Sequence, residues 1–205
     1  MQKKIINNAK LLFKEFGYKK TTMQMIAIKT NISKSLLTYY YPKKSYVLTT
    51  ITRGYLNKIH IFIEEQIEYD PLLIYMLTYE IFFINIFKDK NTKKFYREIM
   101  TRTDRGMNSY NNSDELYIPI INQFNSSLSQ HEFNLKKFEI FGSHAELSHV
   151  YFNNIYKMTD EEFIDQTLMV TVTLLGISNF IYLSYKNKCK KLLDDLEFTK
   201  FQMLE

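Results

Sequence analysis

The chain has 205 residues, 45% of them hydrophobic, with only five Gly and three Pro, which is enough to bury a substantial core and excludes a disordered or turn-rich chain. A lone Cys189 excludes an internal disulfide framework and fits a reducing cytoplasm. The net charge of +5 is uneven: residues 1–50 carry ten Lys against one acid, Glu15, for +9, while the rest sums to −4, so a basic head points to an anionic partner, nucleic acid first, with a merely solvated lysine surface as the alternative.

The opening "MQKKIINNAKLLFKEFG" has lysines throughout and lacks the apolar run of a signal peptide. Ile5, Ile6, Ala9, Leu12, Phe13 and Phe16 recur at helical spacing and predict a first helix. Gly17 follows, where a helix C-terminus favours a left-handed residue. "TTMQMIAIKT" predicts a short second helix with Ile26 and Ala27 inward. Thr21 or Thr22 can cap it, and Thr21 with Gln24 fits a capping box. Asn31 tolerates positive φ, and Ser33 then caps a third helix that ends near Pro42. Two short helices joined by a tight turn in a basic region make a helix-turn-helix candidate.

A longer helix is predicted over about 45–69, stopped by Asp70-Pro71. Others follow over about 71–88, 92–104, 114–129 and 134–156, with "DRGMNSYNNSD" as a loop between the second and third. Thr159 and Glu162 form a capping box that opens a long helix to about 186, and a last short helix covers about 190–203. With no strand-period segment, the fold class is all-α. Residues 166–185 carry no charge and are long enough to span a bilayer. They contain Gln166 and Asn179, however, and have Glu162 and Asp165 in place of basic anchors. A buried or intersubunit helix is the better reading, with no membrane partner.

The stretch "SKSLLTYYYPKK" holds three consecutive tyrosines, which on a helix point in three directions. Leu37 and Tyr41 share the face expected to pack on Phe13 and Ile26. Tyr39 points away with Lys34, Ser35 and Thr38, and Tyr40 lies at the side, where its hydroxyl can reach a phosphate.

The ordered residues Ala9, Leu12, Phe13, Gly17, Thr22, Ile26, Ala27, Ser33, Lys34, Leu37, Tyr39, Tyr40, Tyr41, Pro42 and Lys44 carry a resemblance. Over Ile5 to Leu48 the chain resembles the N-terminal domain of the TetR family of transcriptional regulators. The resemblance implies a DNA-binding domain over 1–48 and a helical effector-binding and dimerisation domain over 49–205. Thr22 and Lys44 would hold phosphates with helix-terminal N–H groups, and Tyr39 and Tyr40 backbone oxygens. Gln24, Lys34, Ser35, Leu36 and Thr38 would approach base edges, Lys34 donating to guanine, Leu36 and the Thr38 methyl touching thymine. Plain alternatives stand beside three of these: Gln24 in its capping box, Lys34 on a phosphate, and Leu36 packed on the fourth helix. The chain departs from the family pattern at Asn31, Ser35, Leu36, Thr38 and Ser45, so no relative's operator can be borrowed.

Other chemistry is weakly represented. His144, Glu146 and His149 invite a metal reading, but histidines five apart diverge on a helix. Asp160, Glu161, Glu162 and Asp165 read as helix N-terminal acids, and Cys189 sits among lysines that can lower its pKa. No cofactor or metal is expected. Family resemblance places an effector pocket among the aromatic central helices, for which Tyr75, Tyr79, Phe82, Phe95, Met100, Phe124 and Phe138 are the candidates. The expected protein is a cytoplasmic homodimeric repressor of a palindromic double-stranded DNA operator, released by a small, mostly apolar effector. The competing reading is a helical enzyme or carrier with a basic surface. The dimer is expected on helices 134–156 and 160–186, with Gly176 allowing close approach and Leu175 in the contact.

Overall fold

The computed structural model describes residues 1–100, 114–124, 128–198 and 200–204. Among the described residues there are ten helices and no strand. The three N-terminal helices are α1 (Gln2–Lys20), α2 (Met23–Thr30) and α3 (Lys34–Tyr40). Their apolar sides meet at Ala9, Phe13, Ile26 and Leu37, all but excluded from solvent. Then come α4 (Lys44–Glu64), α5 (Pro71–Lys88), α6 (Lys90–Met100), α7 (Asp114–Gln123), α8 (Gln130–Phe152), α9 (Asp160–Leu174) and α10 (Asn179–Asp195). The expected boundary between residues 48 and 49 falls inside α4, so a continuous helix joins what lies on either side.

Helix α5 is apolar nearly all round and packs against α4, α6, α7, α9 and α10. It is long and apolar enough to cross a membrane, but most of that surface is buried inside the fold, as in a core helix. Asp70 caps it, accepting a hydrogen bond from the Leu73 N–H, and Pro71 opens it. Beside α5, Phe163 of α9 stacks on Tyr151 of α8 at 4.5 Å and meets Phe83 edge-on at 5.4 Å. These rings fix α8 and α9 against the central helix.

The expected loop "DRGMNSYNNSD" lies outside the described residues except for Asp114, the first residue of α7, and so does the end of the helix expected to reach 104. Elsewhere the C-terminal third departs from expectation. The single helix expected over 159–186 is two, because Gly176 takes φ +84°. The Ile177 N–H bonds back to the Val172 carbonyl and the Gly176 N–H to Thr173, which closes α9. Ser178 then caps α10, accepting from the Ile181 N–H. Gly176 is thus a helix stop, and the charge-free run is no continuous span. Leu175, expected to face a partner, is fully buried within the chain. The helix expected over 190–203 is absent as such: α10 ends at Asp195 and a non-helical tail follows. That tail buries Phe198, Met203 and Leu204, and its Phe198 and Phe201 carbonyls accept from Asn85 Nδ2 and the Tyr55 hydroxyl, each at 3.2 Å.

Candidate nucleic-acid interface and an acidic cavity

The geometry of the first 45 residues starts from their caps. Thr22 caps α2, its hydroxyl accepting from the Met25 N–H at 3.1 Å. Thr21 does not cap: it is buried, and its hydroxyl donates to the Gly17 carbonyl at 2.7 Å. The Thr21–Gln24 capping box is therefore not formed, and Gln24 stands exposed in the first turn of α2. Asn31 ends α2 at φ 58° and ψ 52°, as its tolerance of the left-handed region allows. The Asn31 and Ile32 N–H groups bond back to Ile28 and Ala27, making the turn. Ser33 caps α3 through the Leu36 N–H at 3.1 Å.

Helix α3 is seven residues long, and only Leu37 in it is buried. Lys34, Ser35, Leu36, Thr38 and Tyr39 are exposed and Tyr40 is half-buried. Leu36 keeps 39% of its surface in solvent, so it is not taken up by packing on α4. The Thr38 hydroxyl donates back to the Lys34 carbonyl at 2.9 Å, which occupies its O–H with the helix backbone. Among the three tyrosines, Tyr41 is 7% exposed and Tyr39 is 81% exposed. The rings of Tyr39 and Tyr40 meet edge-on at 5.5 Å. Tyr41 itself is the extended C-cap residue of α3, closing the helix as well as filling the core.

Lys44 has a role the sequence did not disclose. Its Nζ donates to the Tyr18 and Thr21 carbonyls, each at 2.6 Å, and lies 4.2 Å from the Tyr18 ring centroid. The ammonium satisfies carbonyls at the end of α1, a stabilising place for a cation. Two of its three donors are thus engaged inside the chain, whereas neighbouring Lys43 is exposed at the N-cap of α4.

Comparison with known proteins bears on this same region. Residues 5–49 match the family model described as bacterial regulatory proteins, tetR family. The chain is 34% identical over 86 residues to the biofilm operon icaADBC HTH-type negative transcriptional regulator IcaR of Staphylococcus aureus strain Newman, and equally to that of strain COL. Over this N-terminal region the chain is similar to the TetR family. The match to IcaR takes in 40% of this chain and 46% of the relative, so the chain spans about half the length of the curated relatives it matches.

The basic head is joined to the rest of the chain mainly through α1 and α6. Gly17 breaks α1 at φ +80°, and the Glu98 carboxylate of α6 accepts from the Lys19 N–H beyond the break at 2.8 Å. Phe95, one of the seven pocket candidates, packs on Phe13 at 5.2 Å and is part of the same joint. Tyr75 and Phe82 are core residues, Tyr79, Met100 and Phe124 are half-buried, and Phe138 is 51% exposed on α8. None of the seven lines the cavity of about 400 Å³ between α5, α9 and α10.

That cavity has apolar walls from Met76, Ile84, Phe87, Ile164 and Leu168 and carries four carboxylates against Lys88 and Lys186. Asp165 pairs with Lys186 at 2.5 Å and accepts from the Tyr182 hydroxyl at 2.6 Å. Asp160 pairs with Lys93 at 3.0 Å and accepts from the Tyr151 hydroxyl. Glu161 is exposed. Glu80 makes no hydrogen bond or ion pair among the described residues, and burial pushes its carboxyl up to about 7 despite the opposing Lys186.

The residues weighed for other chemistry are accounted for by structure. His144 turns inward, its Nε2 within hydrogen-bond reach of the Thr167 carbonyl and the Thr171 hydroxyl. Burial pushes it down to about 4. His149 instead bonds Asn153 on the surface. Thr159 and Glu162 form the expected capping box. Cys189 is fully buried, and burial raises its thiol despite the nearby lysines, the reverse of activation.

Proposed function

We propose that the chain is a DNA-binding transcriptional repressor that reads a palindromic operator as a homodimer and is released by a small effector. The observation that carries this reading is α3: its cap, its length and its single buried residue leave a polar, basic-flanked surface with nothing to do inside the protein. In this reading α3 enters the major groove, with Gln24, Lys34, Ser35, Leu36 and Thr38 facing base edges. Thr22, Tyr39 and Tyr40 face phosphates, and Lys43 supplies phosphate charge beside the internally engaged Lys44. The role of IcaR, negative regulation of an operon, supports the direction of control.

Dimerisation is assigned to α8 and α10, both of which pack on α9. The outward apolar residues of this region are Leu135 and Phe138 on α8 and Phe180 and Leu183 on α10, Phe180 being 82% exposed. A two-fold dimer through these helices would bury them and give the second copy of α3 that a palindrome requires. The domain division follows: residues 1–48 bind DNA and 49–205 hold effector and partner. A mobility-shift assay with DNA flanking the protein's own coding region tests the reading. A discrete complex that survives excess nonspecific duplex is expected, and its absence at low salt would overturn it.

A further inference from the structure

We propose that the cavity between α5, α9 and α10 binds a small organic cation with an apolar body, its charged nitrogen seated on the Glu80 carboxylate. Its volume of about 400 Å³ is within the range of small-molecule sites. Two of its four carboxylates already have partners, Asp165 in Lys186 and Tyr182, and Asp160 in Lys93 and Tyr151. Glu80 has none among the described residues, although it stands in an apolar wall. Burial outweighs the nearby Lys186, so the ionised carboxylate stays costly until a further counter-charge arrives. An amine supplies that charge, and its hydrocarbon part covers Met76, Ile84 and Leu168.

Other ligand classes do worse in the same space. An anion would meet Glu80 and Glu161, while Lys186 is engaged by Asp165 and Lys88 sits 5.4 Å from the Phe198 ring centroid. A neutral apolar molecule would strip water from Glu80 and return nothing. The cation class therefore replaces the mostly apolar effector expected from sequence. Binding stands independently of the repressor reading; only the consequence for DNA rests on it.

The test is calorimetric titration of the purified full chain with phenylbutylamine, using phenylbutanol as the uncharged control. At pH 8 the amine is expected to bind at least about tenfold tighter than the alcohol. Glu80→Gln should remove that margin while leaving the alcohol unchanged, and should melt no lower than the wild type. At pH 6 the margin should shrink by about tenfold, because Glu80 takes up a proton near neutrality. The charged and titratable groups facing it are Lys88 on α5, Asp160, Glu161 and Asp165 on α9, and Tyr182, Lys186 and Cys189 on α10. Equal affinities for amine and alcohol, or an amine margin that survives Glu80→Gln, overturns the proposal. Adding saturating amine to the protein–DNA complex separates the two readings. Release supports a cationic effector, whereas retained DNA with confirmed amine binding refutes the effector role and leaves the cation site standing.

Discussion

Gly17→Ala probes the joint between the basic head and the rest of the chain. Gly17 sits at φ 80° and ψ 172°, a region open essentially to glycine, where another residue costs about 1–3 kcal/mol. The added methyl would lie 2.7 Å and 2.8 Å from the two Glu98 carboxylate oxygens. The carboxylate must withdraw, which also breaks its bond to the Lys19 N–H. That bond is near the surface, so its loss adds only about 1 kcal/mol. The total is about 2–4 kcal/mol, read from urea denaturation. Glu98→Ala alone should cost about 1 kcal/mol, and adding it to Gly17→Ala should cost nothing further, because the bond is already gone. A Gly17→Ala protein within about 0.5 kcal/mol of the wild type would refute the reasoning, as would full additivity of the two changes.

The tyrosine pair should separate folding from binding. Tyr41→Ala is expected to destabilise by about 3–5 kcal/mol, whereas Tyr39→Ala leaves the melting temperature intact and weakens DNA binding; the reverse pattern would invert the facing of α3. Lys43→Ala should lower the slope of log affinity against log salt by about one unit. Lys44→Met should mainly destabilise the free protein, by about 1–3 kcal/mol, and an unchanged melt would show that its carbonyl contacts contribute nothing. Glu80 and His144 should oppose each other in pH dependence. A carboxyl raised to about 7 holds its proton in the folded state, so its contribution falls as pH rises from its ordinary 4.5 to about 7. A histidine lowered to about 4 resists protonation in the folded state, so its contribution is present above its ordinary 6.5 and falls as pH drops towards 4. Glu80→Gln should thus expose a stability that rises steeply between pH 4 and 6.5, and His144→Gln one that falls from pH 4.5 to 7; unchanged curves would contradict both burial effects.

How much was legible depended on the range over which the deciding contact acts. The caps at Ser33 and Thr159, the left-handed Asn31 and the inward Tyr41 all depend on residues within a few positions, and the sequence reading matched the structure there. Gly176 was equally local, since a glycine two residues before a capping serine spells a helix stop. It was missed because the absence of charge was read as continuity. The internal contacts of Lys44 and Thr21 were not legible for a different reason. Each finds carbonyls on α1, from 4 to 26 residues away, and no short motif encodes that choice. Glu80 is harder still. One acid in an apolar helix gives no signal until α9 and α10 enclose it. The tail that buries Phe198 and Leu204 read as a helix because its apolar spacing suits one, while its backbone bonds to Tyr55 and Asn85 instead.

Hydroxyl-radical footprinting of the bound DNA tests the central claim most directly. The account predicts two protected half-sites related by a two-fold axis and about one helical turn apart, roughly 34 Å. Lys34→Ala should relieve dimethyl sulfate protection of a guanine N7 at the same position in both half-sites, while hydroxyl-radical protection of the backbone elsewhere persists. A single unsymmetrical footprint, or guanine N7 protection from dimethyl sulfate indifferent to Lys34, Ser35 and Thr38 substitutions, would contradict the assignment of α3 as the reading helix of a dimeric repressor.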